Sequence, residues 1–117
     1  MITEFGAIML AILFIGIGSI HIIKPKAFLK IMPSYLPWQL LLVYLSGFFE
    51  ILSGALLIYE PSSSYGALLI IFLLISFFPV HIHMLINKKA SLGINKVLLA
   101  IRLLMQFFLI YWATLYL

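Results

Sequence analysis

The chain contains no cysteine, which closes disulfides, iron–sulfur ligation, thiolate zinc sites and dithiol redox chemistry to it as a single chain. Charge is nearly as scarce: 9% of the 117 residues are charged, and the three acidic ones are Glu4, Glu50 and Glu60. There is no HExxH or comparable ligand set, so no metal site is expected. No basic stripe with aromatic platforms accompanies the lysines, which argues against nucleic acid as a partner. No internal repeat is evident.

What fills the chain is apolar residues, at 66%. An ordinary soluble domain holds about 45–50%, so this composition points to a lipid bilayer as the surrounding medium. The apolar stretches 5–23, 39–59, 67–86 and 97–117 run 19 to 21 residues, close to the roughly 20 needed to cross a hydrocarbon core. The expected fold is all-α: an integral membrane four-helix antiparallel bundle, with helices at about 2–23, 39–59, 67–86 and 96–117 in one transmembrane domain, 1–117. The first stretch carries Glu4 instead of a basic n-region, is long, and offers no small-x-small cleavage site before Lys24, so it reads as a retained helix and not a signal peptide.

The formal charge of +4 is unevenly placed. Lys24, Lys26 and Lys30 follow the first helix, and Lys88, Lys89 and Lys96 precede the fourth, while the 60–66 connection has no Lys or Arg. Four spans put the two basic loops, 24–38 and 87–95, on one side, which the positive-inside rule assigns to the cytoplasm. The expected location is the bacterial cytoplasmic membrane, with both termini on the opposite side.

Prolines punctuate the chain. Pro25 stops the first helix, and the segment KPKAFLKIMPSYLPW at 24–38 is too apolar for a solvated loop and too proline-rich for a long helix. Phe28, Ile31 and Met32 can form one apolar face there, with Tyr35 and Trp38 at the interface, so a short interfacial segment between helices 1 and 2 is expected. Glu60-Pro61 begins a tight polar turn. Pro79 frees the carbonyl of Ile75 and should kink the third helix. Tyr111, Trp112 and Tyr116 suit an aromatic belt at the outer end of the fourth.

Five of the polar residues within the apolar stretches, His21, Glu50, His81, Arg102 and Gln106, cluster toward the cytoplasmic side. At 1.5 Å per residue, His21 lies about one turn or less inside helix 1, His81 roughly 7–8 Å deep, Arg102 roughly 9 Å, Gln106 about 15 Å and Glu50 about 16–17 Å. Gly47 and Gly54 stand three before and four after Glu50, and such small residues mark close helix contacts, so the Glu50 stripe should face the bundle. Each central charge would cost roughly 2.5–3.5 kcal/mol if unpaired, which makes a Glu50–Arg102 pair the expected contact. Gln106, four residues after Arg102, shares its face.

In that order, GSIHIIKPKAFLKIMPSYLP, SGFFEILSGALLIYEP, FFPVHIHM and IRLLMQFFLIYWA resemble the DoxX-like family of small four-helix membrane proteins. The resemblance runs over nearly the whole chain, through His21, Pro25, Phe28, Pro33, Pro37, Gly47, Glu50, Gly54, Pro61, Phe78-Pro79, Arg102, Gln106 and Trp112. His81, and the absence of a basic residue after Pro61, depart from the pattern. The resemblance implies a four-helix membrane bundle associated with membrane redox systems, including quinone-coupled sulfur oxidation and oxidative-stress complexes. The bundle is also similar to that of vitamin K epoxide reductases, whose cysteine chemistry this chain cannot perform.

Two readings of the polar cluster stay open. Glu50 and Arg102 form either a structural pair that fixes helix register or, with His21, His81 and Gln106, a ligand-binding site that exchanges protons. His21 either caps its helix or meets a quinone-like carbonyl. His81 and His83, two apart, face different ways, and His81, deeper and beside Pro79, should face the bundle. Phe48, Phe49, Phe77 and Phe78 either pack and face lipid or wall a quinone pocket. A haem between His21 and His81 is a weaker reading. The expectation is therefore an accessory or small-ligand (quinone-like or lipid) binding subunit of a membrane redox process, with membrane or peripheral redox proteins as partners and no intrinsic catalysis. Gly16 and Gly18 would serve a homo-oligomer contact or internal packing. The alternatives are a ligand-free scaffold or, more remotely, a small transporter, for which no broken-helix pair is visible.

Overall fold

A computed structural model of the chain describes residues 5–29, 32, 36–86 and 93–117. Among these, helices account for nearly everything and no strand occurs. The elements are α1 (Phe5–Ile23), α2 (Pro25–Leu29), α3 (Gln39–Ile58), a 3₁₀ turn (Glu60–Ser62), α4 (Ser63–Ser76), α5 (Phe78–Ile86) and α6 (Lys96–Thr114). Four helical stretches are long and apolar enough to cross a membrane: Phe5–Ile23, Gln39–Ile58, Ser63–Ile86 and Lys96–Thr114. Residues 2–4, 30, 31, 33–35 and 87–92 carry the start of helix 1, Lys30, Ile31, Pro33, Tyr35, Lys88 and Lys89, and those expectations lie outside the described residues.

The helix ends follow local chemistry. Pro25 ends α1 and opens α2 as its first residue, where its missing N–H costs nothing. Trp38 precedes α3 with a left-handed backbone, φ 49°, and an exposed ring. Asn95 caps α6 by accepting a bond from Val97 N at 2.7 Å. The third span begins at Ser63, four residues earlier than expected, because the turn tightens around Ser62. That hydroxyl donates to the carbonyls of Leu56 and Tyr59 at the end of α3, and the polar connection shrinks accordingly.

The third span is broken, as Pro79 requires. The break is sharp enough to end α4 at Ser76 and restart as α5 at Phe78. Phe77 N donates to Leu73 O at 3.0 Å and to Leu74 O at 3.3 Å, and Val80 N and His81 N both turn to Phe77 O. Beyond the break the chain changes neighbours: α4 packs on α3 and α6, while α5 packs chiefly on α6.

Helices α1 and α3 approach most closely, and glycine makes this possible. A Cβ at Gly18 would lie 2.5 Å from the Gly47 carbonyl oxygen, and one at Gly47 would lie 2.7 Å from the Gly18 carbonyl oxygen. Gly54 meets Ile15 and the Ala11 carbonyl in the same seam. Gly16, by contrast, faces open space. The packed core, with Ala7, Leu10, Ala11, Leu57, Ala67, Ile70 and Ala113, occupies the end of the molecule that holds the start of α1 and the end of α6. At the other end, among the described residues, Met84 and Leu99 form a small buried cluster. The outer faces carry exposed Ile12, Leu40, Phe48, Leu68, Phe72, Leu104, Phe107 and Phe108, so these helices are apolar all round.

Candidate functional site

Between the wall made by α1 and α3 and the wall made by α5 and α6 lies a cavity of about 800 Å³. It exists because α5 leaves the α3 side at the Phe77 break, while Phe28 of α2, Met32 and Leu36 line the end. Phe14, Leu74 and Leu109 of the packed core form part of its lining, together with Phe28, Met32, Phe49 and Phe77. Nearly all of the lining is apolar. The polar side chains in it are His21, Ser46, Glu50, Ser76, His81, Arg102 and Gln106. All five residues singled out in the sequence therefore meet in one place, although they come from four different helices.

Their partners differ from the expected ones. Glu50 is 3% exposed, and the nearest charge-bearing group is His21, whose Nδ1 lies 3.3 Å from Glu50 Oε2. The His21 Nδ1–H nevertheless donates to its own helix, to the Ile17 carbonyl at 2.8 Å. Glu50 Oε2 is left without a hydrogen-bond partner. The His21 ring is held flat against Phe28 of α2, with centroids 3.7 Å apart and planes 16° from parallel. This stack ties the short α2 to the site.

The expected Glu50–Arg102 pair does not form. Arg102 Nη1 donates to Gln106 Oε1 at 3.1 Å, and the side chain beside Glu50 Oε2 is His21. The reason is topological. α3 packs on α1 and α4, whereas α6 packs on α4 and α5, so the two charged helices stand diagonally across the cavity.

Gln106 fixes the far wall. It is 1% exposed, and its Nε2 donates to the Leu74 carbonyl at 3.1 Å, next to the break in the third span. Its Oε1 is then aimed at Arg102. One side chain thus satisfies a carbonyl at the Pro79 kink and orients the guanidinium. His81 Nδ1 has no hydrogen-bond partner. In a regular helix it could return to the carbonyl four residues back, as His21 does. For His81 that residue is Phe77, whose oxygen already accepts two backbone N–H groups.

Of the proposed aromatic walls, Phe49 and Phe77 line the cavity. Phe48 is exposed and meets Phe49 edge-on, and Phe78 pairs with Phe107, away from the lining. His83 is likewise outside the lining, opposite in sense to His81. Sequence reasoning missed the Phe28–His21 stack, since no helical period runs through Pro25. It also passed over Ser46 and Ser76 as lining residues. Ser46 stands four before Glu50, a spacing that could have found it. Among the described residues no three His, Cys, Asp or Glu side chains converge as a metal site.

These features define a class of protein: an all-helical chain with four membrane-length apolar helices and, at one end, an apolar cavity with charged corners. Residues 10–117 match a domain of unknown function, DUF8561, and the chain belongs to that family. No curated protein and no solved structure matches it.

Proposed function

We propose that this chain is an integral protein of the bacterial cytoplasmic membrane, an antiparallel four-helix bundle that binds a small apolar-tailed molecule, quinone-like or lipid, in the cavity beside Glu50. The observation that carries the reading is the cavity itself: a space of about 800 Å³, within the roughly 300–1,000 Å³ of small-molecule sites, with apolar walls and a few convergent polar groups. A ligand-free scaffold would pack those groups against one another. Instead Glu50 Oε2 and His81 Nδ1 lack hydrogen-bond partners and border the same space, and buried polar atoms are costly in that condition.

Membrane placement is supported by the exposed apolar faces and the four membrane-length helices. The orientation rests on Lys24, Lys26 and Lys96, which stand at the cavity end and should face the cytoplasm with loops 24–38 and 87–95. On the DoxX-like resemblance of its sequence we read the chain as an accessory subunit of a membrane redox process. A quinone ring suits the site through the Phe28, Phe49 and Phe77 walls and the polar atoms of Glu50 and His81. In that setting Glu50 and Arg102 orient the polar head from opposite walls, and a histidine exchanges protons with it.

The test is native mass spectrometry of the chain extracted in mild detergent, run on wild type and on Glu50→Gln. A co-purified small molecule on the wild type, diminished in the variant while helicity is unchanged, is the expected result. Equal retention in both would remove Glu50 from the site.

A further inference from the structure

We infer that the cavity's occupant carries an oxyanionic head, a carboxylate or a phosphate, seated between Arg102 and His81, with its apolar tail among the apolar lining residues, Phe49, Phe77 and Leu109 included. This rests on the cavity being a ligand site and narrows what fills it.

The argument starts from Arg102. A guanidinium is permanently charged and presents five N–H donors in a rigid fork. Here it stands half-buried in an apolar helix, facing the cavity, and its hydrogen bond to Gln106 Oε1 meets a neutral amide. The carboxylate that could neutralise it, Glu50, sits across the cavity with His21 at 3.3 Å. A charge so placed within a membrane-spanning helix calls for a counter-ion close by, and the cavity is where one can be delivered.

The second observation is His81. Its Nδ1 is buried without a hydrogen-bond partner, and the ring shares the α5/α6 wall with Arg102. An imidazole with a free ring nitrogen can turn an N–H toward an oxygen on that wall. The third observation is that the guanidinium is held in place. Gln106 is anchored to the Leu74 carbonyl at 3.1 Å and holds Arg102 Nη1 at 3.1 Å, a pre-set donor fork of the kind that recognises planar oxyanions. A neutral head would leave that fork without its charge partner. An oxyanion meets it, and the long apolar lining leaves room for a hydrocarbon chain.

The test uses equilibrium binding to the purified full chain in dodecyl maltoside, with three probes that share one hydrocarbon tail: oleate, oleoyl lysophosphatidate and methyl oleate. At least one anionic probe is expected to bind about tenfold or more tightly than the neutral ester, since charge-assisted bonds are about twice as strong as neutral ones. Which anion binds better separates a fatty-acid carboxylate from a lipid phosphate. Arg102→Gln should abolish the preference for the anion and Arg102→Lys should retain part of it. Equal binding of acid and ester to the wild type would overturn the inference while leaving the ligand site standing, and so would a preference that survives Arg102→Gln. Failure of all three probes to bind would overturn both. The acid-versus-ester comparison needs no variant, so a misfolded Arg102→Gln chain leaves it decisive.

Discussion

Replacing Gly47 by alanine probes the α1/α3 seam that brings His21 beside Glu50. The added Cβ would stand 2.7 Å from the Gly18 carbonyl oxygen and 2.7 Å from the His21 Cβ, where ordinary contact begins at 3.4 Å. One neighbour is backbone and the other is the root of a side chain, so neither can swing aside and α1 itself must move away. Overpacking of this kind costs about 1–3 kcal/mol, partly offset by the roughly 1 kcal/mol by which alanine exceeds glycine in helix propensity. Gly16→Ala supplies the control: nothing lies within 4 Å of its added Cβ, so only the propensity gain applies. The propensity gain is common to both, which leaves Gly47→Ala less stable than Gly16→Ala by about 1–3 kcal/mol. Reversible unfolding in mixed micelles, followed by far-ultraviolet circular dichroism, reads this difference directly. If the two variants unfold within about 0.5 kcal/mol of each other, the scatter of ordinary surface changes, the close seam is refuted, and with it the placement of His21 against Glu50.

Three other changes should behave as follows. Gln106→Leu removes the interhelical bond to Leu74 O and the bond from Arg102 within α6, and the interhelical loss should cost about 0.6–1.7 kcal/mol by the same unfolding assay; an unchanged midpoint would contradict the role given to this residue. Pro79→Ala restores an N–H for the Ile75 carbonyl, so the Ser63–Ile86 span should straighten, and spin labels at Leu45 and Ile82 should move closer as α5 swings back toward α3. An unaltered distance would place the cause of the break elsewhere. Because the chain has no cysteine, single-cysteine labelling reads orientation cleanly: Ser64→Cys should react with an impermeant maleimide on intact cells, and Lys96→Cys only after permeabilisation. The reverse pattern would invert the proposed topology.

Much of the architecture could be read from composition and punctuation. Long apolar stretches set the helices, prolines 25, 61 and 79 set their breaks, and glycines 47 and 54 marked the face of α3 that meets α1. Depth counted along each helix put His21, Glu50, His81, Arg102 and Gln106 at one end, and the same five line one cavity. Helix adjacency was not legible. Period and depth say which side of a helix turns inward but not which helix stands opposite, so they suggest an Arg102–Glu50 pair although α4 and the cavity lie between the two helices. The Phe28–His21 stack was hidden for a related reason: the two rings are joined across a proline turn, where no period carries information. Gln106 reaching the Leu74 carbonyl depended on the geometry of the Pro79 break, which fixes where a backbone oxygen can be met by a neighbouring helix.

Filling the cavity tests the central claim most directly. Ser46 is a small side chain on the cavity wall, and Ser46→Trp would occupy the space beside Glu50. Native mass spectrometry of the two proteins, purified side by side in mild detergent, should find a bound small molecule on the wild type and a bare chain for Ser46→Trp, with matching helicity. A bare wild-type chain, or equal retention by the filled variant, would contradict the account.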